Sequence, residues 1–540
     1  MSTPKPFFRR TWVQVVVVVL LLLVGAVVGL GASLPKPIGR PIVLQPELLS
    51  APAKPFPVER RFLQMSATEL AAAIKAKQAT SVEVVTAYLN HIKNENHRYA
   101  ALIYLREAEA LADARAADEA VARGEDRPLL GVPVTIKEMY WVKGSPTTLN
   151  AKMYGVTATE DAPTVAALKS AGAVVLGTTN VPFMLGDYQT KGEVYPTANN
   201  PFDVARTPGG STGGGAAALA AGFSALELGS DMGGSIRVPA AFNGLWALKA
   251  TFGTLNISQG TSPDPSQTFH RLAMVSPGPL ARAPEDLELM WRVLKDAPAD
   301  PRFQKPVTWA APSSKGLDGY RFGWVDEWAS KSGPVPVGAQ TKAKLAELMG
   351  KLEAAGAKVD RSAPEVLDDG VRLFLASFAQ MMAEGQGWPM RKLLQLSMQP
   401  MSDGSPVFAA FDEAVLDPSD ERWTRTQAER EQLIKTWSTY FEAHDFLVSP
   451  VVYGPAFKHC ETGATIVTDD GAKVPYIRYV VWAPMINAVG LPTLSVPLGL
   501  DSHGLPIGVQ VIGPPGSDPE LLHLAVLLKP LTPGFVPPKP

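Results

Sequence analysis

Between Arg206 and Gly253 the chain twice sets a serine directly behind a Gly-Gly pair: Ser211 after Gly209 and Gly210, and Ser235 after Gly233 and Gly234. The serines stand 24 positions apart, joined by an alanine-rich segment that reads as a helix. Glycine removes side-chain bulk and lets the backbone take strained or positive-φ geometry, at a cost in chain entropy. Any fold of this chain must place two glycine turns at the ends of one short stretch. A structural need alone seldom explains such a pair.

With 540 residues the chain can bury a large core and, by length, could hold two or more domains. A net charge of −2 gives no electrostatic footprint for nucleic acid. The single cysteine, Cys460, excludes an internal disulfide framework, multi-cysteine zinc sites and iron–sulfur clusters. The seven histidines are scattered without metal-ligand spacing.

Near the N-terminus, Lys5, Arg9 and Arg10 precede the almost unbroken apolar run Trp12–Leu30. Nineteen residues in a helix reach about the thickness of a hydrocarbon core. The run exceeds the ~7–15 apolar residues usual in a signal peptide, which favours an uncleaved signal anchor. Gly29-Leu30-Gly31 and Gly31-Ala32-Ser33 keep a cleaved signal peptide open. In both readings the positive flank predicts export of the remainder, anchored in the membrane or released to the periplasm or medium. Residues 1–33 are thus read as anchor or signal and the proline-rich 34–60 as a spacer. Residues 61–535 are read as the folded domain.

Ser66-Ala-Thr-Glu69 and Thr80-Ser-Val-Glu83 fit capping boxes ahead of helical patterns, and Arg106–Gly124 predicts a third helix stopped by Gly124. Leu129–Ile136 is apolar and β-prone and ends at Lys137-Glu138. Asp161–Gly172 reads as a helix feeding a strand at Ala173–Gly177, so βα alternation argues for an α/β fold with a mixed sheet. A lysine ending a buried strand is a candidate for chemistry, because burial disfavours its charged form. Taken alone, Lys137 reads more readily as a solvated lysine at a strand end.

Gly209-Gly210-Ser211-Thr212-Gly213 matches the GxSxG nucleophile elbow formally, but that elbow must follow a buried strand and Asn199–Pro208 is loop-like. No Gly-Lys-Ser/Thr follows, so a phosphate-binding loop is rejected. At Asp231-Met-Gly-Gly-Ser235-Ile-Arg237, two glycines ahead of a serine let successive N–H groups point into one concavity suited to an oxyanion. Asp231 and Arg237 flank it as holders of the loop. A plain glycine turn with Ser235 capping a helix remains the equal alternative at this point.

Taken together, Gly131-Val-Pro-Val-Thr-Ile-Lys137-Glu138, Gly209-Gly-Ser-Thr-Gly-Gly214 and Ser230-Asp-Met-Gly-Gly-Ser-Ile-Arg-Val-Pro-Ala240 resemble, in order, the three signature segments of the amidase signature family. Asn199-Asn-Pro, Gly278–Arg282, Asn487–Gly490 and Leu505–Gln510 resemble its further landmarks. The likeness spans about residues 61–530 and is weakest across 300–470, which implies a catalytic domain over 61–535 with 300–470 as its variable, specificity-setting region. It implies a mixed, twisted central sheet flanked by helices on both faces, and hydrolysis of carboxamides without metal or cofactor. Ser235 would be the acylating nucleophile, Ser211 the bridging serine behind a cis peptide eased by Gly210, and Lys137 the neutral base. Met232, Gly233 and Gly234 would supply the oxyanion hole. Thr212 stands for a second serine and keeps its hydroxyl; Glu138 replaces the usual Asp. Thr147–Ala151 and Phe183 also depart from the family pattern, in loops that bear on substrate class.

The implied partner is a small-molecule amide, with the membrane reached through the N-terminal segment and a homodimer among the assemblies allowed. Two other readings stand beside the amidase. One is a subunit of the glutamyl-tRNA amidotransferase type, which serves ammonia transfer in the cytoplasm and against which the N-terminal run argues. The other is a catalytically silent, membrane-anchored binding protein, which the presence of all three relay residues disfavours. Trp324, Trp328, Trp388, Trp423 and Trp437, with Met381, Met382, Met390, Met398 and Met401, read as core first and as lining of an acyl pocket second.

Overall fold

The computed structural model describes residues 38–39, 44–258, 274–299, 309, 311–330, 333–402 and 404–539. The apolar run Trp12–Leu30, and with it the anchor and signal readings, lies outside them. Among the described residues no helix is long and apolar enough to cross a membrane.

Eleven strands form one central sheet. In chain order they are β1 (Leu102–Leu105), β2 (Pro133–Lys137), β3 (Val174–Thr179), β4 (Leu226–Asp231), β5 (Trp246–Lys249), β6 (Ser276–Ala281), β7 (Arg321–Trp324), β8 (Lys358–Asp360), β9 (Phe446–Pro450), β10 (Thr493–Leu500) and β11 (Pro506–Ile512). Across the sheet the order is β8-β7-β9-β11-β10-β5-β6-β4-β2-β3-β1. The pairs β2/β3, β2/β4, β7/β8 and β7/β9 are parallel and the rest antiparallel. The sheet is therefore mixed, and helices flank it, as the βα alternation and the resemblance implied. Strands β2, β3 and β4 are buried along their whole length, the pattern of strands covered on both faces.

Local signals in the sequence translate directly. Both capping boxes form: Ser66 and Glu69 cap the helix Ala67–Lys75, and Thr80 and Glu83 cap Ser81–Tyr99. The third helix runs Glu107–Ala122, and Gly124 leaves it at φ 79°. The strand expected from Leu129 begins later, at Pro133, because Gly131 takes φ 80° and the residues before it turn.

The segment between the two serines is a helix only in its first part. Gly213–Ala220 is helical, Gly222 breaks away at φ 75°, and Leu226–Asp231 is strand β4. Alternating Leu226, Leu228 and Ser230 with Glu227 and Gly229 suits a buried strand, whereas the alanine-rich composition suggested helix throughout. That strand returns the chain to Lys137, since β4 lies beside β2.

Within the stretch read as a spacer, the chain from Gln45 onward packs on the domain. Leu48 is buried, Gln45 bonds both backbone groups of Leu105, and Phe56 pairs with Asn94. A second apolar cluster gathers the helix Leu367–Ala383 with Phe408, Phe411, Trp437 and Trp482. Trp328, Trp437 and Met401 belong to it, and Met381 and Met390 are buried as well. Trp324, Trp423, Met382 and Met398 are half-buried, and Trp388 is 62% exposed.

Candidate active site

Lys137 is the last residue of β2, and Ser230 lies near the end of the neighbouring β4, so the sheet brings them together. Lys137 is fully buried. Its Nζ stands 2.7 Å from Ser211 Oγ, 2.9 Å from Ser230 Oγ and 3.2 Å from the Ser230 carbonyl. Burial pulls its ammonium down to about 7, against the upward pull of Asp231 and Glu227. The solvated-lysine alternative is thereby set aside: this side chain is a base poised near neutrality. As a neutral amine it can donate two hydrogens to the Ser230 oxygens and turn its lone pair to the Ser211 hydroxyl.

Ser211 sits at the turn into the helix Gly213–Ala220, almost fully buried, behind a cis Gly210–Ser211 peptide. Gly210 has to be glycine on steric grounds, since a Cβ there would come 2.3 Å from the Asp187 carbonyl oxygen. Thr212 donates its N–H to the Ser235 carbonyl at 3.1 Å and its hydroxyl to the Ser230 carbonyl at 3.3 Å. The two serine loops are thus stitched backbone to backbone. Ser235 is half-buried. It does not cap the next helix, which starts at Arg237 with Ile236 as its first cap.

Asp231 and Arg237 form a fully buried ion pair at 3.0 Å that organises the loop between them. The Asp231 carboxylate accepts from the N–H groups of Gly234 at 2.8 Å and Ile236 at 3.1 Å. Arg237 also donates to Asn487 Oδ1, Gln510 Oε1 and the Ala483 carbonyl. The later landmarks at Asn487 and Gln510 therefore converge on this one guanidinium. Burial alone would raise the Asp231 carboxyl, but Arg237, Lys249 and Asn487 outweigh it and hold the group below the ordinary carboxylate range.

Of the three residues expected to form the oxyanion hole, Gly234 has its N–H turned to Asp231. Among the described residues, the N–H groups of Met232, Gly233 and Ser235 make no hydrogen bond. They are the donors of this loop left open. Gly234 itself takes φ 114°, which only glycine adopts without strain.

Sequence reasoning missed four neighbours. Ser230 holds Lys137 by two contacts, and its place in the motif directly before Asp231 was the available signal. Glu227, fully buried on β4, has its carboxyl raised to about 7 by burial, and it acts on Lys137 through space. Tyr188 donates its hydroxyl to the Gly233 carbonyl at 2.8 Å. Phe374 packs on the same glycine, with ring carbon Cζ 2.8 Å from where a Gly233 Cβ would stand. Glu138, beside the base in sequence, points elsewhere: it accepts from Thr148 and from Tyr195 and ties down the loop Thr147–Asn150.

A cavity opens in the variable region between Trp328, Val371, Leu375, Phe408 and Val481, with none of the relay residues in its wall. Leu375 is the neighbour of Phe374 in the helix that covers the site.

Residues 83–522 match the family model described as Amidase. The A-type glutamyl-tRNA(Gln) amidotransferase subunit of Anaeromyxobacter sp. (strain K) is 31% identical over 534 residues, 91% of this chain and 100% of the relative. The fatty-acid amide hydrolase 2-A of Danio rerio is 30% identical over 506 residues, 87% of this chain and 89% of the relative. Among solved structures, an inhibitor-bound chain from a vestigial protein complex, studied for the evolutionary origins of an s-triazine catabolic enzyme, superposes with TM-score 0.71. It is 28% identical and covers 88% of this chain and 100% of its own.

Proposed function

The chain belongs to the amidase family and is an enzyme of C–N bonds; on that premise we propose that it hydrolyses a small carboxamide through Ser235, Ser211 and Lys137. The observation that carries this reading is the buried contact of 2.7 Å between Lys137 Nζ and Ser211 Oγ, made by a lysine held at about 7.

Ser235 Oγ attacks the carbonyl carbon, giving its proton to Ser211 as Ser211 gives its own to Lys137. The carbonyl oxygen becomes an oxyanion facing the open N–H groups of Met232, Gly233 and Ser235. Collapse breaks the C–N bond; the proton returns from Lys137 through Ser211 to the nitrogen, which leaves as ammonia or an amine. Water then attacks the acyl-Ser235 ester, its proton passing to the relay, and the carboxylic acid departs with Ser235 restored.

Location belongs to the same proposal. Lys5, Arg9 and Arg10 ahead of Trp12–Leu30 support an exported enzyme held at the membrane, with release after cleavage as the alternative. A second reading, as one component of an amidotransferase, draws on the full-length similarity to the Anaeromyxobacter relative.

The purified full chain, assayed alone on a panel of simple, aryl and fatty-acyl amides beside Ser235→Ala, separates these readings. Amide hydrolysis by the wild type and its loss in Ser235→Ala is the expected result. Equal activity in both would sink the serine mechanism, and hydrolysis only in the presence of a partner protein would favour the amidotransferase. Membrane sedimentation of the expressed chain, reversed by detergent alone, supports the anchor; recovery in the soluble periplasmic fraction overturns it.

A further inference from the structure

We propose that Tyr188 is a positioning residue for the oxyanion loop, its hydroxyl locking the plane of the Gly233–Gly234 peptide; this rests on the reading of Ser235 as nucleophile. The two ends of that peptide point in opposite directions, because a trans amide is planar. Its carbonyl accepts from Tyr188 Oη at 2.8 Å, and its N–H donates to Asp231 Oδ1 at 2.8 Å. Both ends of one plane are thus held by fixed side chains.

Such a lock has a purpose here because both residues are glycine. With no Cβ, and with Gly234 at φ 114°, the plane has little intrinsic barrier to turning. The planes on either side carry the N–H groups of Gly233 and Ser235, the open donors. Unless ψ at Gly233 and φ at Gly234 change in opposition, turning the central plane would redirect both. Asp231 alone holds one end of it; Tyr188 supplies the other.

Tyr188 is itself held well enough to act as a reference point. Its backbone and that of Asp187 lie against Gly210, whose added Cβ would meet Asp187 O at 2.3 Å and Tyr188 Cα at 3.1 Å. The Asp187 carboxylate accepts from Thr462 Oγ1, Tyr476 Oη and the Tyr188 N–H. The next residue, Gln189, exchanges two hydrogen bonds with the backbone of Cys460. Burial raises the Tyr188 phenol above its ordinary value, so it stays a donor throughout the working range. The segment therefore touches the Ser211 turn through its backbone and the Ser235 loop through one hydroxyl, and fixes their relative position.

The test uses the full chain and an alkyl fluorophosphonate, which phosphonylates an activated serine with loss of fluoride and reads the rate constant of inactivation separately from reversible binding. Tyr188→Phe is expected to lower the maximal inactivation rate about tenfold, less than the 10²–10³ seen when an oxyanion donor is removed outright. The concentration for half-maximal rate should stay within about twofold of wild type. 3-Fluorotyrosine at position 188, which keeps the hydroxyl, should restore the rate. Tyr188→Met, a second hydroxyl-free variant, is held to the same outcomes should the phenylalanine protein not fold. An unchanged maximal rate in both variants overturns the proposal, as does a loss confined to binding. If the wild type is not labelled at Ser235, or Ser235→Ala is labelled equally, the nucleophile assignment itself has failed, which is a different result.

Discussion

Lys137 Nζ and Ser211 Oγ lie 2.7 Å apart in a place water does not reach, although 74 residues separate them in the chain. Strand β2 delivers the lysine and the Gly210 turn delivers the serine. Ser230, on the adjacent strand β4, takes the two hydrogens of a neutral amine. Among the described residues no carboxylate stands within hydrogen-bond reach of Nζ, so burial controls the protonation state.

Lys137→Met, close in volume and without the amine, should keep the fold and lose the base. General-base contributions run to about 10²–10⁴ in rate, so kcat/KM on an amide should fall by about 10³ with the melting temperature near that of wild type. Steady-state kinetics beside a thermal melt checks both halves. Activity within tenfold of wild type would remove Lys137 from the relay.

The pH profile follows from the same residue. The attack needs the amine neutral, and its conjugate acid titrates at about 7. The logarithm of kcat/KM should therefore rise with unit slope below about pH 7 and level off above it. A profile that is flat from pH 5 to 9 would contradict a lysine base. In Lys137→Met the residual rate should lose this inflection.

Glu227 gives a prediction in which stability and activity move separately. Burial raises its folded carboxyl from 4.5 to about 7. Between those values the folded state holds a proton that the unfolded state has lost, so its favourable contribution is complete below about pH 4.5 and gone above about pH 7. Glutamine stays neutral throughout. Glu227→Gln should thus gain stability relative to wild type on going from pH 5 to pH 8.5, measured by urea unfolding at each pH. It also removes a negative charge that raises Lys137, so the activity inflection should move to lower pH. Movement to higher pH would show that the charge acts elsewhere.

The elements around this site were legible to different degrees. Capping at Ser66 and Thr80 was readable because a cap needs only residues three apart, and both boxes form. Ser211 and Ser235 stood out through the glycines before them, whereas Lys137 taken alone reads as a solvated strand end and becomes the base only through the resemblance of all three segments together. Tyr188 and Glu227 were not readable, since their roles depend on which distant loop passes over them: Tyr188 means nothing without Gly233, 45 residues later. The alanine-rich run misled for the same reason. Its composition favours helix, but a strand was needed to bring Asp231 back beside the lysine, and burial between β2 and β6 decided the matter.

Asp231→Asn should cost far more than the loss of one charge suggests. The pair with Arg237 is fully buried at 3.0 Å, and removing one partner leaves the other charge uncompensated, at about 3–5 kcal/mol. Gly234 and Ile236 use different oxygens of the carboxylate, Oδ1 and Oδ2, and asparagine keeps only one of these acceptors. Urea unfolding should report the loss of stability. The double change Asp231→Asn, Arg237→Met should recover part of it, because no unpaired charge then remains. A double variant as unstable as the sum of the single ones would show that the pair acts as two independent groups.

Gly210→Ala tests the packing of the two serine loops without touching a functional group. The added Cβ would fall 2.3 Å from the Asp187 carbonyl oxygen and 3.0 Å from the Tyr188 carbonyl carbon, both backbone atoms that cannot rotate aside. One methyl forced into a closed interior typically costs about 1–3 kcal/mol. The displaced backbone is the one that carries Tyr188 on to Gly233, so inactivation by a fluorophosphonate should slow together with the fall in stability. Gly186→Ala makes a useful control in the same segment, since its Cβ would meet only the Phe183 carbonyl oxygen at 3.5 Å. It should leave both quantities near wild type. If Gly210→Ala is as benign as Gly186→Ala, the close approach of the Asp187–Tyr188 backbone to the Ser211 turn is not a constraint on the site.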